Sequence, residues 1–331
     1  MLNVAMLSKW HVHAADYARK LQNHGNVKIT AVWDEQPERG SEWAAQLGAD
    51  FEADLDTLLK REDVDGVVVD APTSMHADVM VAAAEAGKHI FTEKAMALTT
   101  QECDRISAAV RKADVKFCIS FPALTRPHQL FAKQLIDDHI LGDITLDITL
   151  LRIRNGHDGA LNNWLPEYWY DEKQTGGGAM MDLGCHPMYI ASMLLGKPKR
   201  ITSMFHYFTH RAVEDNAQCS IEFVNNAVAL VETSLVTYRT PSALEIYGTE
   251  GTLMVSDDNV RVISKKLDLP FSGWISPNQL PKEQPLPIIE WTDALLHNKP
   301  MPFGLEEGTK LTELLEAAYT AHKENRTVEF K

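Results

Sequence analysis

The chain has 331 residues, with 32 Lys+Arg against 46 Asp+Glu, a formal net charge of −14. That balance argues against a general nucleic-acid or anionic-membrane binder, because either needs a net basic face. No apolar stretch reaches the ~18 uncharged residues of a membrane span, and a length of this order is enough for two domains.

In chain order, 3–7 reads as a short buried strand and 14–24 as a helix with Tyr17 and Leu21 on one face, closed by Gly25. A second strand, 27–33, ends at Asp34; a helix over 37–47 stops at Gly48. The run Gly66-Val67-Val68-Val69 suits a strand buried on both faces. A helix over 75–86, a strand over 89–91, a helix over 99–112 and a strand over 116–120 follow. Thr99-Thr100-Gln101-Glu102 opens the last of these helices with a capping pattern. Strands alternating with 10–15-residue helices predict a parallel, doubly wound sheet over 1–122.

The rhythm changes after Pro122. A helix is expected over 127–139. The segment 143–154 alternates, with Ile144, Leu146, Ile148 and Leu150 on one face, and reads as a half-solvated strand. Hairpins are expected for 220–223 with 228–231, and for 243–247 with 252–255. Closing helices are expected over 291–297 and 309–323. The second domain, 123–331, is therefore α+β with a large, mostly antiparallel open sheet.

The four cysteines, Cys103, Cys118, Cys185 and Cys219, form no C-x-x-C pair, so neither a zinc site nor a redox dithiol is expected. Unpaired thiols fit a reducing cytoplasm. The first residues lack the basic region and cleavage site of a signal peptide.

The turn after Leu7 is where a dinucleotide-binding sheet would carry G-x-G-x-x-G, so that backbone N–H groups approach a pyrophosphate. Here it reads Ser8-Lys9-Trp10-His11-Val12-His13, without glycine. Ser8 is a candidate N-cap or phosphate ligand and Lys9 adds charge; a turn that binds nothing stays open. Asp34, at the end of the second strand, suits an acid accepting from ribose hydroxyls, or a cap on the next helix. Asp70 opens a loop that should line the crevice, yet a carboxylate there would repel a pyrophosphate, so it faces a ribose or the interior. Lys94, after the strand over 89–91, is placed to polarise a substrate oxygen.

Gly176-Gly177-Gly178 leads into Ala179-Met180-Met181-Asp182-Leu183-Gly184-Cys185-His186. Three glycines permit close backbone approach to a flat ring or another chain. On a helix Asp182 and His186 are i and i+4, sharing a face ~5–6 Å apart. A carboxylate beside an imidazole stabilises its cation, which suits a general base near neutral pH. His11 and His13 are expected on different faces, so no metal site is expected. Trp164, Tyr168, Trp169 and Tyr170 are candidates for stacking on a sugar or for core packing.

Together these segments resemble the glucose–fructose oxidoreductase/inositol dehydrogenase family, written Gfo/Idh/MocA. The resemblance rests on Ala71-Pro72 to His76, Ala84-Glu85-Ala86-Gly87-Lys88-His89, Glu93-Lys94, the Gly176 to His186 segment, and Glu245-Ile246-Tyr247-Gly248-Thr249-Glu250-Gly251-Thr252-Leu253. It implies an N-terminal Rossmann domain, a C-terminal α+β domain that mediates dimers or tetramers, and a bound NAD, with NADP disfavoured by Asp34-Glu35. It also implies hydride transfer to or from a sugar, polyol or related carbonyl. On it the catalytic set is Lys94, Asp182 and His186. The cofactor-binding set is Ser8, Lys9, Trp10, His11, Asp34, Ala71, Pro72, His76, Glu93 and Lys94. A non-catalytic NAD-binding sensor and an NAD-using glycosidase are the alternatives. No nucleic-acid or membrane partner is expected.

Overall fold

The computed structural model describes residues 1–145, 147–257, 259–267 and 273–331. These fall into two compact units. The first is Met1–Pro122 with Pro285–Thr312, and the second is Ala123–Gln284 with Glu313–Lys331. The first unit thus joins 285–312 to 1–122, although 285–312 was expected with the second domain.

In the first unit the strands are β1 (Leu2–Leu7), β2 (Val27–Trp33), β3 (Asp50–Phe51), β4 (Gly66–Val69), β5 (His89–Thr92) and β6 (Phe117–Ile119). Between them run α1 (Ala14–Asn23), α2 (Pro37–Leu47), α3 (Leu55–Leu59), α4 (His76–Glu85) and α5 (Thr100–Ala113). The six strands form a parallel sheet in the order β3-β2-β1-β4-β5-β6. Local chemistry explains the helix ends. α2 starts on Pro37 and stops at left-handed Gly48. α5 carries a reciprocal capping box between Thr99 and Glu102. The sheet packs on apolar faces through Val4, Met6, Tyr17, Leu21, Trp43, Val68 and Phe91. The later segment contributes helix Pro287–His297, whose fully buried Trp291 packs against Phe91 with the rings tilted and their centroids 5.8 Å apart. A Cβ on Gly66 would come within 3.1 Å of the Trp291 ring, so this strand position needs a hydrogen there.

The second unit holds α6 (Pro127–Asp137), β7 (Ile148–Gly156), α7 (Glu172–Thr175), α8 (Cys185–Leu195) and strands β8 (Pro198–His206), β9 (Asn216–Phe223), β10 (Val228–Ser234), β11 (Ala243–Gly248), β12 (Gly251–Ser256), β13 (Asn259–Ser264) and β14 (Val328–Glu329). The eight strands lie in the order β13-β12-β11-β7-β10-β9-β8-β14, antiparallel except for β7 with β10. Both expected hairpins form, β9–β10 and β11–β12.

The alternating segment 143–154 is strand only from Ile148. Asp143 and Asp147 override the alternation. The Asp143 carboxylate accepts from the Thr145 N–H at 2.8 Å, and that of Asp147 accepts from the Asp143 N–H at 2.8 Å, which ties the backbone into a turn. Leu146 lies outside the described residues. Among those residues no helix is long and apolar enough to cross a membrane.

Candidate active site

The parallel register aligns the residues that follow each strand of the first unit. Leu7 pairs with Trp33 and Val69, Val69 with Thr92, and Thr92 with Ile119. Ser8, Asp34, Asp70, Glu93 and Ser120 therefore form a row along the C-terminal sheet edge, where open α/β sheets bind ligands.

Ser8 takes φ +75°, the left-handed conformation that glycine usually supplies at this turn. The loop is closed by its own chain. The N–H groups of Ser8, Lys9, Trp10 and His11 donate in turn to Trp33 O, Asp34 Oδ2, Ser8 Oγ and Asp70 O, at 2.6 to 3.0 Å. Ser8 and Trp10 are buried. Lys9 reaches Gln46 and lies over the Trp43 ring. This corrects two expectations. Ser8 is not the N-cap of α1, a place His13 takes, and Ser8 and Trp10 shape the loop from inside rather than offering donors to a phosphate.

Asp34 is buried and accepts four hydrogen bonds: from Lys9 N at 2.9 Å, Gln36 N at 2.8 Å, Arg39 Nε at 2.9 Å and Arg39 Nη2 at 2.7 Å. Arg39 also bridges to Glu35. The two carboxylates expected to face the ribose therefore share a guanidinium. Arg39, one turn into α2, was missed in the sequence, although its spacing of four from Glu35 is an ion-pair signal.

Asp70 is fully buried, and neither carboxylate oxygen has a hydrogen-bond partner. Burial, with the Glu93 charge, pushes it well above the ordinary carboxyl range. It faces the interior, and the upward shift weakens the repulsion expected of a carboxylate there. His76 is buried and its two ring nitrogens lie 2.9 Å from Ala95 O and 3.0 Å from Ala71 O. It thereby ties the loop after β4, with Ala71 and Pro72, to the loop after β5. Burial lowers its pKa against those two carbonyls. Both ring nitrogens are thus engaged within the protein.

Glu93 and Lys94 are also buried, so Lys94 is no surface lysine. Burial would raise Glu93, but His11, His13 and Lys94 outweigh it and hold the carboxylate well below its usual range. Tyr17 donates to Glu93 and meets Ser120 Oγ at 2.7 Å. The Lys94–Ala95 peptide is cis.

In the second unit the glycine run serves the fold. A Cβ on Gly178 would sit 1.9 Å from Glu214 O, and one on Gly177 1.9 Å from Tyr319 Oη. The close approach is internal, not to a ring of a ligand. The buried Glu214 carboxylate accepts from Gly178 N at 2.9 Å, Met180 N at 2.8 Å and Tyr319 Oη at 2.7 Å. Burial raises its pKa against those bonds. Glu214 and Tyr319 cap this helix start from far along the chain, and no local pattern marks them.

The helix expected through Asp182 and His186 begins with a π turn, Met180–Gly184, before α8 takes over at Cys185. The inserted residue changes the i,i+4 relation, a feature common at functional sites. His186 Nδ1 lies 2.7 Å from Tyr189 Oη, whose oxygen accepts from Ala123 N at 3.2 Å. His157, unmarked in the sequence, feels the Asp182 charge; burial lowers its pKa while Asp182 and Asp158 oppose. Of the four aromatics, Trp169 and Tyr170 are core, Tyr170 under the Arg211 guanidinium at 3.9 Å, and Trp164 is exposed.

Residues 11–121 match the profile described as "Oxidoreductase family, NAD-binding Rossmann fold", and residues 130–254 that of the GFO/IDH/MocA C-terminal domain. Among curated relatives, 2,7-anhydro-N-acetylneuraminate hydratase of Mediterraneibacter gnavus is 26% identical over 73% of this chain and 64% of its own length. This chain thus spans just under two thirds of that relative. Inositol 2-dehydrogenase of Rhizobium meliloti is 24% identical over 75% of this chain and 73% of its own. Among solved structures, levoglucosan dehydrogenase in complex with NADH and L-sorbose superposes with a TM-score of 0.87 at 20% identity, covering 100% of this chain and 99% of that one. Two successive family profiles in the expected order, over a parallel sheet followed by a mostly antiparallel one, settle the classification: the chain belongs to the Gfo/Idh/MocA oxidoreductase family.

Proposed function

We propose that the protein is an NAD(H)-dependent oxidoreductase acting on a CH–OH group, or its carbonyl, in a carbohydrate-like substrate. The observation that carries this reading is the buried Glu93-Lys94 pair on the C-terminal edge of a sheet whose family profile is that of an NAD-binding fold. The edge suits a dinucleotide by charge. Asp70 is shifted toward its protonated form by burial, Asp34 and Glu35 share Arg39, and Glu93 is opposed by His11, His13 and Lys94. Asp34 with Arg39 would hold the adenosine ribose, and the loops tied by His76 would flank the rest. When bound, nicotinamide supplies the hydride acceptor or donor. His186 takes the hydroxyl proton, its ring held by Tyr189; Asp182 stabilises the imidazolium. The Lys94 ammonium stabilises the developing alkoxide. The compartment is proposed to be the cytoplasm. Absorbance at 340 nm, followed across a panel of sugars, polyols and anhydrosugars with NAD⁺ or NADH, tests the reading; no turnover with any member would count against it.

A second reading follows from the hydratases among the relatives. On that reading water is added or removed with no net redox change. It is distinguished by product formation, followed by mass spectrometry, without change in absorbance.

Arg39 bears on cofactor choice. While Asp34 and Glu35 hold it, two carboxylates share one cation, which disfavours a 2′-phosphate. NAD⁺ should bind more tightly than NADP⁺ in calorimetry. Asp34→Ala leaves the guanidinium with Glu35 as its remaining carboxylate and should move the affinity ratio toward NADP⁺ by at least ~10-fold, about 1.4 kcal/mol. Arg39→Ala should not. Equal or tighter NADP⁺ binding by the wild type would refute the assignment.

The face of the second-unit sheet that bears Arg152, Glu232, Met204, Glu222 and Tyr247 mixes ion pairs with apolar groups. We propose that it is covered by a second copy in a homodimer or homotetramer. Light scattering at micromolar protein should exceed the 37.1 kDa monomer mass, and a particle of that mass would remove the proposal.

A further inference from the structure

Against the expectation that His11 and His13 diverge, the two rings stand edge to face with centroids 4.8 Å apart. The helical-face argument does not apply, because α1 begins only at Ala14 and His11 lies in the preceding loop. Both rings converge on Glu93. His13 Nδ1 is 3.0 Å from Glu93 Oε1, and His11 Nε2 is 3.9 Å from Glu93 Oε2. One ligand atom from each of the three residues can be chosen so that all lie within 4.8 Å of one another. All three belong to the first unit.

Metal–ligand bonds of ~2.0–2.2 Å place adjacent ligand atoms of a tetrahedral or octahedral ion ~3–3.5 Å apart. The His13–Glu93 spacing already meets that; with all three ligand atoms within 4.8 Å of one another, the widest pair needs to close by up to ~1.3 Å to bind one ion. The side chains of His11 and Glu93 are 6% and 1% exposed, whereas that of His13 is 43% exposed, leaving one side open for entry and for a water ligand. A second observation points the same way. Asp70 is wholly buried with both carboxylate oxygens unpartnered, and it lies close enough to Glu93 to feel its charge. A folded protein rarely buries a carboxyl without partners unless something else is to meet it.

We propose that His11, His13 and Glu93 bind a first-row divalent transition-metal cation at the C-terminal edge of the parallel sheet, in the row of strand ends that also holds the buried Asp70. Two imidazole nitrogens with one carboxylate favour zinc, cobalt or iron over calcium or magnesium, which take mostly oxygen ligands. The site uses none of Lys94, Asp182 and His186, but it shares His11 and Glu93 with the residues assigned to the cofactor, so metal binding is read on protein free of dinucleotide.

The test uses the full chain, stripped with a chelator and free of dinucleotide. Calorimetric titration with Zn²⁺ should show one equivalent bound. Co²⁺ should produce visible d–d bands that Zn²⁺ abolishes, and Mg²⁺ should do neither. His13→Ala, at a half-open position that the fold tolerates, should weaken Zn²⁺ binding at least ~10-fold, the least effect expected when even an outer partner of a metal site is lost. His11→Ala should do the same, with far-UV circular dichroism confirming that each variant is folded. Absence of stoichiometric Zn²⁺ binding would overturn the proposal. So would binding that persists at wild-type affinity in both variants, which would place the ion elsewhere.

Discussion

His186→Ala is expected to lose at least ~10² in turnover, the lower bound for removal of a general base, and up to ~10⁴. NAD⁺ affinity should stay within a few fold. The residue stands on the first turn of α8, directly after a π turn, and its Nδ1 is engaged by the Tyr189 hydroxyl. That contact fixes the ring plane, so proton transfer needs no search over rotamers. Tyr189→Phe keeps the ring packing and removes the hydroxyl; it should reduce kcat by less than His186→Ala does and change its pH profile. Lys94→Ala should also lose at least ~10² in turnover, because its ammonium is assigned to the developing alkoxide. The outcome that opposes the assignment is intact turnover in either variant with a substrate that the wild type turns over. Parallel loss of NAD⁺ binding in Lys94→Ala would instead make that residue a cofactor-positioning group.

What the sequence made legible was local. Pro37 and Gly48 bracket α2, and Thr99 with Glu102 opens α5, because each device acts within one turn of helix. The parallel sheet followed from alternation, and the hairpins from short turns between β-rich runs. The order Glu93-Lys94, then Gly176 to His186, gave the family. What stayed hidden depended on distant partners or on competition for the backbone. Glu214 meets Gly178 from 36 residues away, and Tyr319 meets Met181 from 138. The strand expected from residue 143 lost its first turn to two aspartates that bind backbone N–H groups. The π turn at Met180 has no sequence signal. Asp34 was read as a ribose acceptor without Arg39, and the histidines were assigned to a helix that starts after them. For Asp34 the partner went unmarked; for the histidines and Glu93 the residues were marked but not their convergence.

The glycine run offers the sharpest test of that long-range set. A Cβ on Gly178 would lie 1.9 Å from the Glu214 carbonyl oxygen, 2.9 Å from its carbon and 3.0 Å from its nitrogen. These are backbone atoms, so no rotamer change relieves the overlap. Moving them pulls on a carboxylate that serves two buried N–H groups and the Tyr319 hydroxyl. Overpacking alone costs about 1–3 kcal/mol, and each buried donor left unpaired adds about 1–3 kcal/mol. Gly178→Ala is therefore expected to destabilise by about 3 kcal/mol or more. For a unit of this size that lowers the melting temperature by ~6 °C or more. Glu214→Ala, which strands the same donors without a clash, should fall in the same range; Glu214→Gln keeps one acceptor oxygen and should cost less. Gly304→Ala is the control, since its added Cβ would meet only Glu307 Oε2 at 3.6 Å. Differential scanning calorimetry of the four variants should rank Gly178→Ala and Glu214→Ala lowest and leave Gly304→Ala near wild type. If Gly178→Ala instead melts with the wild type, the close packing of the glycine run against Glu214 does not hold the entry to α8.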